Sequence, residues 1–343
     1  MTSYSVSEPK ETLDQPAAKV QAAKAHDESQ KPLGGSDTQQ WKRALFVFNP
    51  VAGKSDIRTD LVDILEIFAR ESYAVTCYPT KCRGDARNIV RNRQGDYVCV
   101  FCAGGDGTLD EVVSGMLEHP DKPAVPIGYI PMGSTNDFAM SLGIPVNAKN
   151  AAKAAVLGKV IGCDLGLFNS DSYFTYVAAF GLFTETSYET PQDLKNMFGH
   201  MAYFMQGMMD LGKVRSYHFS IESKELSISD DFVLGMVTNS RSVGGFTDIT
   251  GDGIDLSDGL FEVTLVKMPT NLLEVGDIIQ YFNRVTNVSD FVYRFKTSHI
   301  VMKSDQRVKW TRDGEYAGTY KKVELTNLCR KLNIIVPREN DEI

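Results

Sequence analysis

The sequence predicts an α/β protein: a three-layer α/β domain followed by a β-rich, sandwich-like domain, with the functional site in the cleft between them. Three observations carry this expectation. From Ala44 to Leu142, short apolar strand-like runs alternate with amphipathic stretches, the pattern of a parallel sheet covered on both faces. Three of the strand-to-helix junctions hold glycine-rich polar turns, and in such sheets ligands bind at the carboxyl ends of the strands. After about residue 165, strand-like runs follow one another with turn signals between most of them, as in a sandwich or barrel-like sheet.

Taken in order, residues 1–40 are polar, rich in Ala, Lys, Glu, Gln and Ser, with Tyr4 as their one aromatic. They cannot bury enough surface to fold alone and read as a disordered tail, with an ordered packing arm as the competing reading. The α/β domain is expected over 42–164. Its strands are Ala44–Phe48, Tyr73–Tyr78, Tyr97–Cys102 and Ile127–Ile130. Its helices run from Asp56 to Arg70, near Asp85–Asn92, from near Thr108 to about Leu117, and from Asn136 to Leu142. The β-rich domain is expected over 165–322, with strands at Phe174–Phe180, His218–Ile221, Glu225–Ile228, Phe232–Asn239, Phe261–Val266, Ser298–Met302 and Gln306–Thr311. Helices interrupt it at Gln192–Leu211 and Asn271–Phe282. Residues 323–343 form a carboxyl-terminal segment for which a return to the first domain is open.

Composition narrows the function. The 343 residues are 43% apolar and carry a net charge of -8, which argues against a general nucleic-acid binder. No apolar run reaches the roughly 18–20 residues that span a bilayer, and the amino terminus has no apolar core of a secretion signal. Six scattered cysteines, with only Cys99 and Cys102 at a zinc-like spacing and no matching second pair, read as core packing. The expectation is a cytoplasmic chain in which membrane contact is transient and a homodimer is open.

The chemistry lies in the turns. Phe101 to Glu111 joins a buried strand to a helix through Gly104, Gly105, Asp106, Gly107 and Thr108. Glycine allows a ligand to approach the backbone closely, and amides backed by a helix start suit a phosphate. The carboxylate fits there when a divalent cation accompanies the phosphates. Asn49-Pro50-Val51-Ala52-Gly53-Lys54-Ser55 has the end of a P-loop, but Phe48 stands where its first glycine belongs, so it is not that motif. A third turn, Pro131 to Asp137, offers Gly133, Ser134, Thr135, Asn136 and Asp137. Helix capping accounts for any one of these turns; three on one sheet edge point to a nucleotide.

The ordered set Asn-Pro-x-x-Gly, Gly-Gly-Asp-Gly-Thr and Gly-Ser-Thr-Asn-Asp-Phe-Ala resembles the catalytic domain of diacylglycerol kinases and their bacterial soluble lipid-kinase relatives, a family that includes sphingosine and ceramide kinases. The resemblance covers about residues 42–336. Asp110 stands where that family usually has Asn, and Ser134 where it has Thr. The resemblance implies ATP held by Asn49 to Gly53, Thr80, Gly104 to Asp110 (Leu109 included), Gly133, Ser134 and Asn136, with magnesium organised through waters by Asp106, Asp137 and Asp164. It implies a second, structural magnesium at Asp258 with backbone oxygens near Asp255 and Leu260. Spacing alone reads those acids as a solvated loop equally well, and Asp164 as a solvated turn.

Asp258-Gly259 and Asp313-Gly314 are first of all hairpin signals. Glu315, immediately beyond the second, faces a different possibility: a carboxylate across a cleft from a nucleotide takes a hydroxyl proton. The Asp313-Gly314-Glu315 triplet is similar to the family motif whose Glu is the general base, with Asp313 as the competing base. The resemblance implies ATP-dependent phosphorylation of a lipid hydroxyl, on diacylglycerol, at a membrane surface. A kinase of another lipid such as a sphingoid base, a NAD kinase and a non-catalytic nucleotide-binding regulator are the alternatives. Arg83, Arg87 and Arg91 repeat every four residues along one helix face, a solvated stripe by default and a headgroup contact otherwise.

Overall fold

Lys42–Phe48 (β1), Cys99–Gly104 (β3) and Ile127–Pro131 (β4) are buried almost throughout, which is why their sequences are unbroken apolar runs rather than alternating ones. In the computed structural model β1 lies parallel to Tyr73–Pro79 (β2) on one side and to β3 on the other, and β3 pairs in parallel with β4. The structure describes residues 40–53, 57–93, 96–119, 124–182, 215–241, 243, 253–282 and 284–338. The expected tail and the expected Gln192–Leu211 helix lie outside the described residues, apart from Gln40.

Helices follow the parallel strands: Ile57–Arg70 (α1), Asp85–Arg91 (α2), Asp106–Leu117 (α3) and Asp137–Ser141 (α4). Helix α1 buries Ile57, Ile64 and Phe68 on one face and ends on Arg70, a cation suited to the negative end of the helix dipole. Phe68 stacks on Phe101 of β3 at 4.1 Å between ring centres. Helix α3 starts at Asp106 with Gly105 as its cap residue, two positions ahead of the start expected near Thr108. A fifth helix, Ala148–Leu157 (α5), has no counterpart in the expected elements. It is capped by the Asn147 side chain, which accepts from the Asn150 N–H, and its buried face is almost all alanine. Small side chains there let it approach the sheet closely: a Cβ on Gly128 of β4 would stand 2.8 Å from Ala155 Cβ.

The rest of the described residues are mostly strand: Lys159–Phe168 (β5), Ser172–Phe174 (β6), Val177–Gly181 (β7), Tyr217–Ser223 (β8), Ser227–Thr238 (β9), Phe261–Lys267 (β10), Val292–Thr297 (β11), His299–Arg312 (β12) and Glu315–Val336 (β13), with the helix Leu272–Phe282 (α6) before β11. Two pairs of expected strands are single strands here. Gln306–Thr311 continues Ser298–Met302 as β12 through a register shift between Lys303 and Val308, and Glu225–Ile228 continues into Phe232–Asn239 as β9. Strands β7 and β8 lie end to end in one row: both are antiparallel to β9 and to β12. That row closes a hydrogen-bonded circuit β7–β9–β8–β12 around an aromatic core of Phe168, Phe174, Phe180, Phe219, Phe232, Phe261 and Trp310. A second core fills the helix-covered part around Phe46, Phe68 and Phe101.

One strand joins the two cores. The start of β13 pairs with β12, its middle and end pair with β5, and Ile334 and Ile335 pair in parallel with Ile127 and Gly128 of β4. The bend falls between Leu328 and Leu332, where the register shifts and Arg330 takes φ 51. All thirteen strands are thereby linked in one sheet. The fold is mixed α/β, a small closed strand circuit extended by further strands and helices.

Candidate active site

The carboxyl ends of β1, β2 and β3 open into a cavity of about 460 Å³. Its walls are Asn49, Val51, Ala52 and Gly53 after β1, Thr80 to Arg83 after β2, Gly105, Gly107, Thr108 and Glu111 at α3, and Glu315 from β13. The turn after β1 is built locally: Asn49 N–H donates to Ala103 O, and Asn49 Oδ1 accepts from Val51 N–H. Thr80 N–H donates to Phe48 O, which ties the β2 exit to it.

The glycines are demanded by close approach. Gly53 has φ +61, and a Cβ there would stand 2.1 Å from Met132 O. A Cβ on Gly105 would meet Gly133 Cα at 3.3 Å. The Pro131–Asp137 turn therefore backs the turns that hold Gly53 and Gly105 and contributes no residue to the cavity wall. Within it Asn136 (φ 52) closes on Gly133, Oδ1 accepting from the Gly133 N–H at 2.8 Å and Nδ2 donating to the Gly133 carbonyl at 3.0 Å. Ser134 is exposed. Leu109 is fully buried in the face of α3 that packs on the sheet. Thr108 N–H donates to Gly105 O at 3.0 Å; ahead of it no side chain caps α3, so the amides of Gly105 to Gly107 and the helix dipole suit an anion.

Behind these amides lies a group of buried carboxylates. Asp106 Oδ2 accepts from Thr135 Oγ1 and from the Asp137 N–H, both at 3.3 Å. Its Oδ1 is buried with no hydrogen-bond partner. Burial, reinforced by the charges of Asp137 and Asp313, pushes the Asp106 carboxyl up to about 7. Asp110, also with an unpartnered buried Oδ1, is pushed up to about 8 by burial, with Asp313, Glu315 and Glu111 adding to the effect and Arg312 opposing it. Asp313 is different. It is buried at φ 48 and accepts from the N–H groups of Thr175, Tyr176 and Val177 and from Thr175 Oγ1, at 2.6–3.0 Å. Burial raises the Asp313 carboxyl, and the donors on both of its oxygens oppose that rise. The negative charge around Asp106 and Asp137, with an orphaned oxygen among it, fits a divalent cation that arrives with nucleotide phosphates. Among the described residues no group of three His, Cys, Asp or Glu side chains is arranged to hold a metal by itself.

Other candidate residues lie apart from this group. Asp164 is fully buried, its Oδ2 accepting from Gly259 N–H at 2.6 Å and its Oδ1 from Arg330 N–H at 2.8 Å; it pins the 256–259 turn to the bend of β13. Asp255 accepts from the N–H and hydroxyl of Ser257. Asp258 accepts from Leu260 N–H on one oxygen and from Lys296 Nζ on the other, at 2.9 and 3.2 Å. Lys296 lies 3.1 Å from Glu262 Oε1 as well. An ammonium thus supplies positive charge beside Asp258 at this turn.

Glu315 begins β13 directly after the Asp313-Gly314 turn and reaches across the cavity, where its Oε1 lies 3.3 Å from the position a Cβ on Gly107 would take. Two contacts escaped the sequence reading. Glu111 Oε1 accepts from Gly84 N–H at 2.6 Å and its Oε2 from Ala86 N–H at 3.1 Å, so α3 caps the start of α2. Arg83 pairs with Glu315. The Glu111 contact sits at the end of the Gly-Gly-Asp-Gly-Thr run and was readable only as a helix-face carboxylate.

Comparison with known proteins places this geometry. Residues 43–168 match the family model of the diacylglycerol kinase catalytic domain. The diacylglycerol kinase of Bacillus subtilis (strain 168) is 32% identical over 304 residues, covering 88% of this chain and 98% of the relative. That of Staphylococcus carnosus (strain TM300) is 33% identical over 301 residues, covering 87% and 96%. Two Bacillus anthracis str. Sterne crystal structures share the fold. One, of a diacylglycerol kinase, has a TM-score of 0.66 at 20% identity and covers 87% of this chain and 97% of its own. The other reaches 0.72 at 23% identity, covering 87% and 98%. With relatives this similar over nearly their whole length, and with the Asn49–Gly53 and Gly105–Thr108 turns and Glu315 lining one cavity, the chain belongs to the diacylglycerol kinase family.

Proposed function

We propose that this chain is an ATP-dependent lipid kinase that phosphorylates the free hydroxyl of diacylglycerol to give phosphatidic acid. The observation that carries the reading is Glu315, an exposed carboxylate set over the Gly107 turn, in the cavity lined by three strand-to-helix loops. Glycine-turn amides and the α3 start hold the phosphates. Glu315 accepts the hydroxyl proton as the hydroxyl oxygen forms its bond to the γ-phosphorus. The bond from that phosphorus to the bridging oxygen breaks, and ADP leaves with the electron pair. Magnesium, carried with ATP near Asp106 and Asp137, would neutralise the phosphate charge that builds up during transfer. The four donors on Asp313 favour it as the anchor that aims Glu315 and disfavour it as the base.

On this reading, 42–164 is the nucleotide domain and 165–322 a sandwich-like lipid-substrate domain, with the active site in the cleft between them and 323–343 returning to the first. Among the described residues no helix is long and apolar enough to cross a membrane, which accords with substrate reached by docking at a lipid surface. The test is transfer of labelled phosphate from ATP in mixed micelles containing diacylglycerol, a sphingoid base or neither, with NAD in a parallel assay. Label in phosphatidic acid, lost on Glu315→Gln by about 100-fold or more, is the expected result. Label in NAD or the sphingoid base alone overturns the substrate, and no label under any condition overturns the enzyme.

A further inference from the structure

The arginine stripe of α2 does not act as one surface. Arg87 donates its Nε to Glu118 at 2.9 Å, and Arg91 lies 3.9 Å from the same carboxylate. Arg83, in the turn ahead of the helix, leaves the stripe and donates to Glu315 Oε2, 232 positions away in the chain. Both partners line the nucleotide cavity.

Each partner stands on a fixed station. The Arg83 turn is held by Glu111 through the amides of Gly84 and Ala86, and by Asp85, whose Oδ2 accepts from Lys81 N–H at 2.8 Å. Glu315 follows Asp313, which is tied to the segment Thr175–Val177 by four hydrogen bonds. The side chain between these stations is long and half exposed, and without a partner it would sample several rotamers. Its surroundings do not help: Asp110, Asp313 and Glu111 are all negative when ionised, and Arg312 bears on Asp110. The guanidinium of Arg83 takes Oε2 and leaves Oε1 facing the Gly107 turn. One carboxylate oxygen is held while the other is free to accept a proton.

We propose that Arg83 is a positioning residue for phosphoryl transfer, acting through Glu315 by fixing its carboxylate over the glycine turn. The inference rests on the reading of Glu315 as the base. The test uses the full chain with Arg83→Gln, Arg83→Lys, Glu315→Gln and the Arg83→Gln/Glu315→Gln double variant. It measures kcat and the KM for ATP in diacylglycerol micelles, with melting curves for each. Arg83→Gln should lower kcat about 2- to 5-fold, the scale of an exposed ion pair, while leaving the KM for ATP within about 2-fold and the melting curve in place. Arg83→Lys should recover most of the loss. In the Glu315→Gln background the same change should have no further effect, because the group through which Arg83 acts is gone. An equal kcat loss in that background, or a rise in the KM for ATP with kcat unchanged, means that Arg83 serves the phosphates directly and overturns the proposal. A kcat that rises in Arg83→Gln makes the pair a brake and overturns it too. Wild-type turnover in Glu315→Gln alone instead removes the base reading on which the proposal stands, so the two failures are told apart.

Discussion

At Asp106 two requirements collide. Folding buries the carboxyl beside Asp137 and Asp313 and leaves Oδ1 without a donor, a cost that an apolar or amide side chain would not carry. Asp106→Asn should therefore abolish turnover, by at least about 100-fold, yet melt at a higher temperature than wild type near pH 7.5. The pH dependence has a definite sign. With the carboxyl raised to about 7 in the folded state, the native chain binds more protons than the unfolded chain, and this group's contribution to stability falls as pH climbs from about 4 to 7. Melting temperatures of wild type and variant across that range should diverge as pH rises. Parallel curves would mean that Asp106 is not perturbed. Asp313 makes the opposite case: its four donors lose their acceptor in Asp313→Ala, with an expected destabilisation of about 2–4 kcal/mol, measured by urea unfolding. The two aspartates look alike in the sequence, each beside a glycine. Chain order picked out the glycine turns because glycine and small polar residues recur at the same kind of junction. It did not reveal the partners of Arg83, Glu111 and Asp313, because those are set by which strand ends the sheet brings together.

Among the elements, the ones with strong periodicity were legible within a few residues. Helix α5 was not, since alanine is too weakly apolar to mark a buried face, and its role depends on the thin surface it offers to β4. That dependence is testable. Gly128→Val would drive a side chain into Phe101 Cδ1 and Ala155 Cβ, which stand 2.7 and 2.8 Å from the Cβ position. Overpacking of this kind costs about 1–3 kcal/mol, to be read from the urea midpoint at constant slope. Strands β9 and β12 were each divided in two because Asp230–Asp231 and Ser304–Gln306 resemble turns. In the structure the polar residues simply face water or sit at a bulge, and the backbone stays extended. The glycine turns act as one block at this scale: Gly53→Ala should displace Met132 and Gly133 and raise the KM for ATP by about 10-fold or more, while Gly143→Ala, at φ +66 with nothing within 4 Å of its Cβ position, should cost stability through backbone strain alone and leave that KM unchanged.

For the molecule as a whole, a single hydrogen-bonded sheet runs through both cores, and residues from Gln40 onward form one compact unit. Calorimetry should accordingly give one cooperative transition that shifts intact with a non-hydrolysable ATP analogue; two resolved peaks, with only one responding, would show that the cores unfold separately. The sequence read the change of character near residue 165 as a boundary. It left open a return of residues 323–343 to the first domain, but did not show that one 22-residue strand, β13, would pair in both regions, because alternation in a strand says which face is buried and not which neighbours it finds.

That strand also sets an order of events during synthesis. A ribosome makes the glycine turns first, by residue 137, and Glu315 and the strand that joins β12 to β5 and β4 only with the 22 residues of β13. A nascent or prematurely stopped chain can hold every nucleotide-facing glycine and still lack both the carboxylate opposite them and the strand that couples the halves. On the reading of Glu315 as the base, phosphoryl transfer has to wait until β13 is made, and a chain stopped ahead of it would be inert.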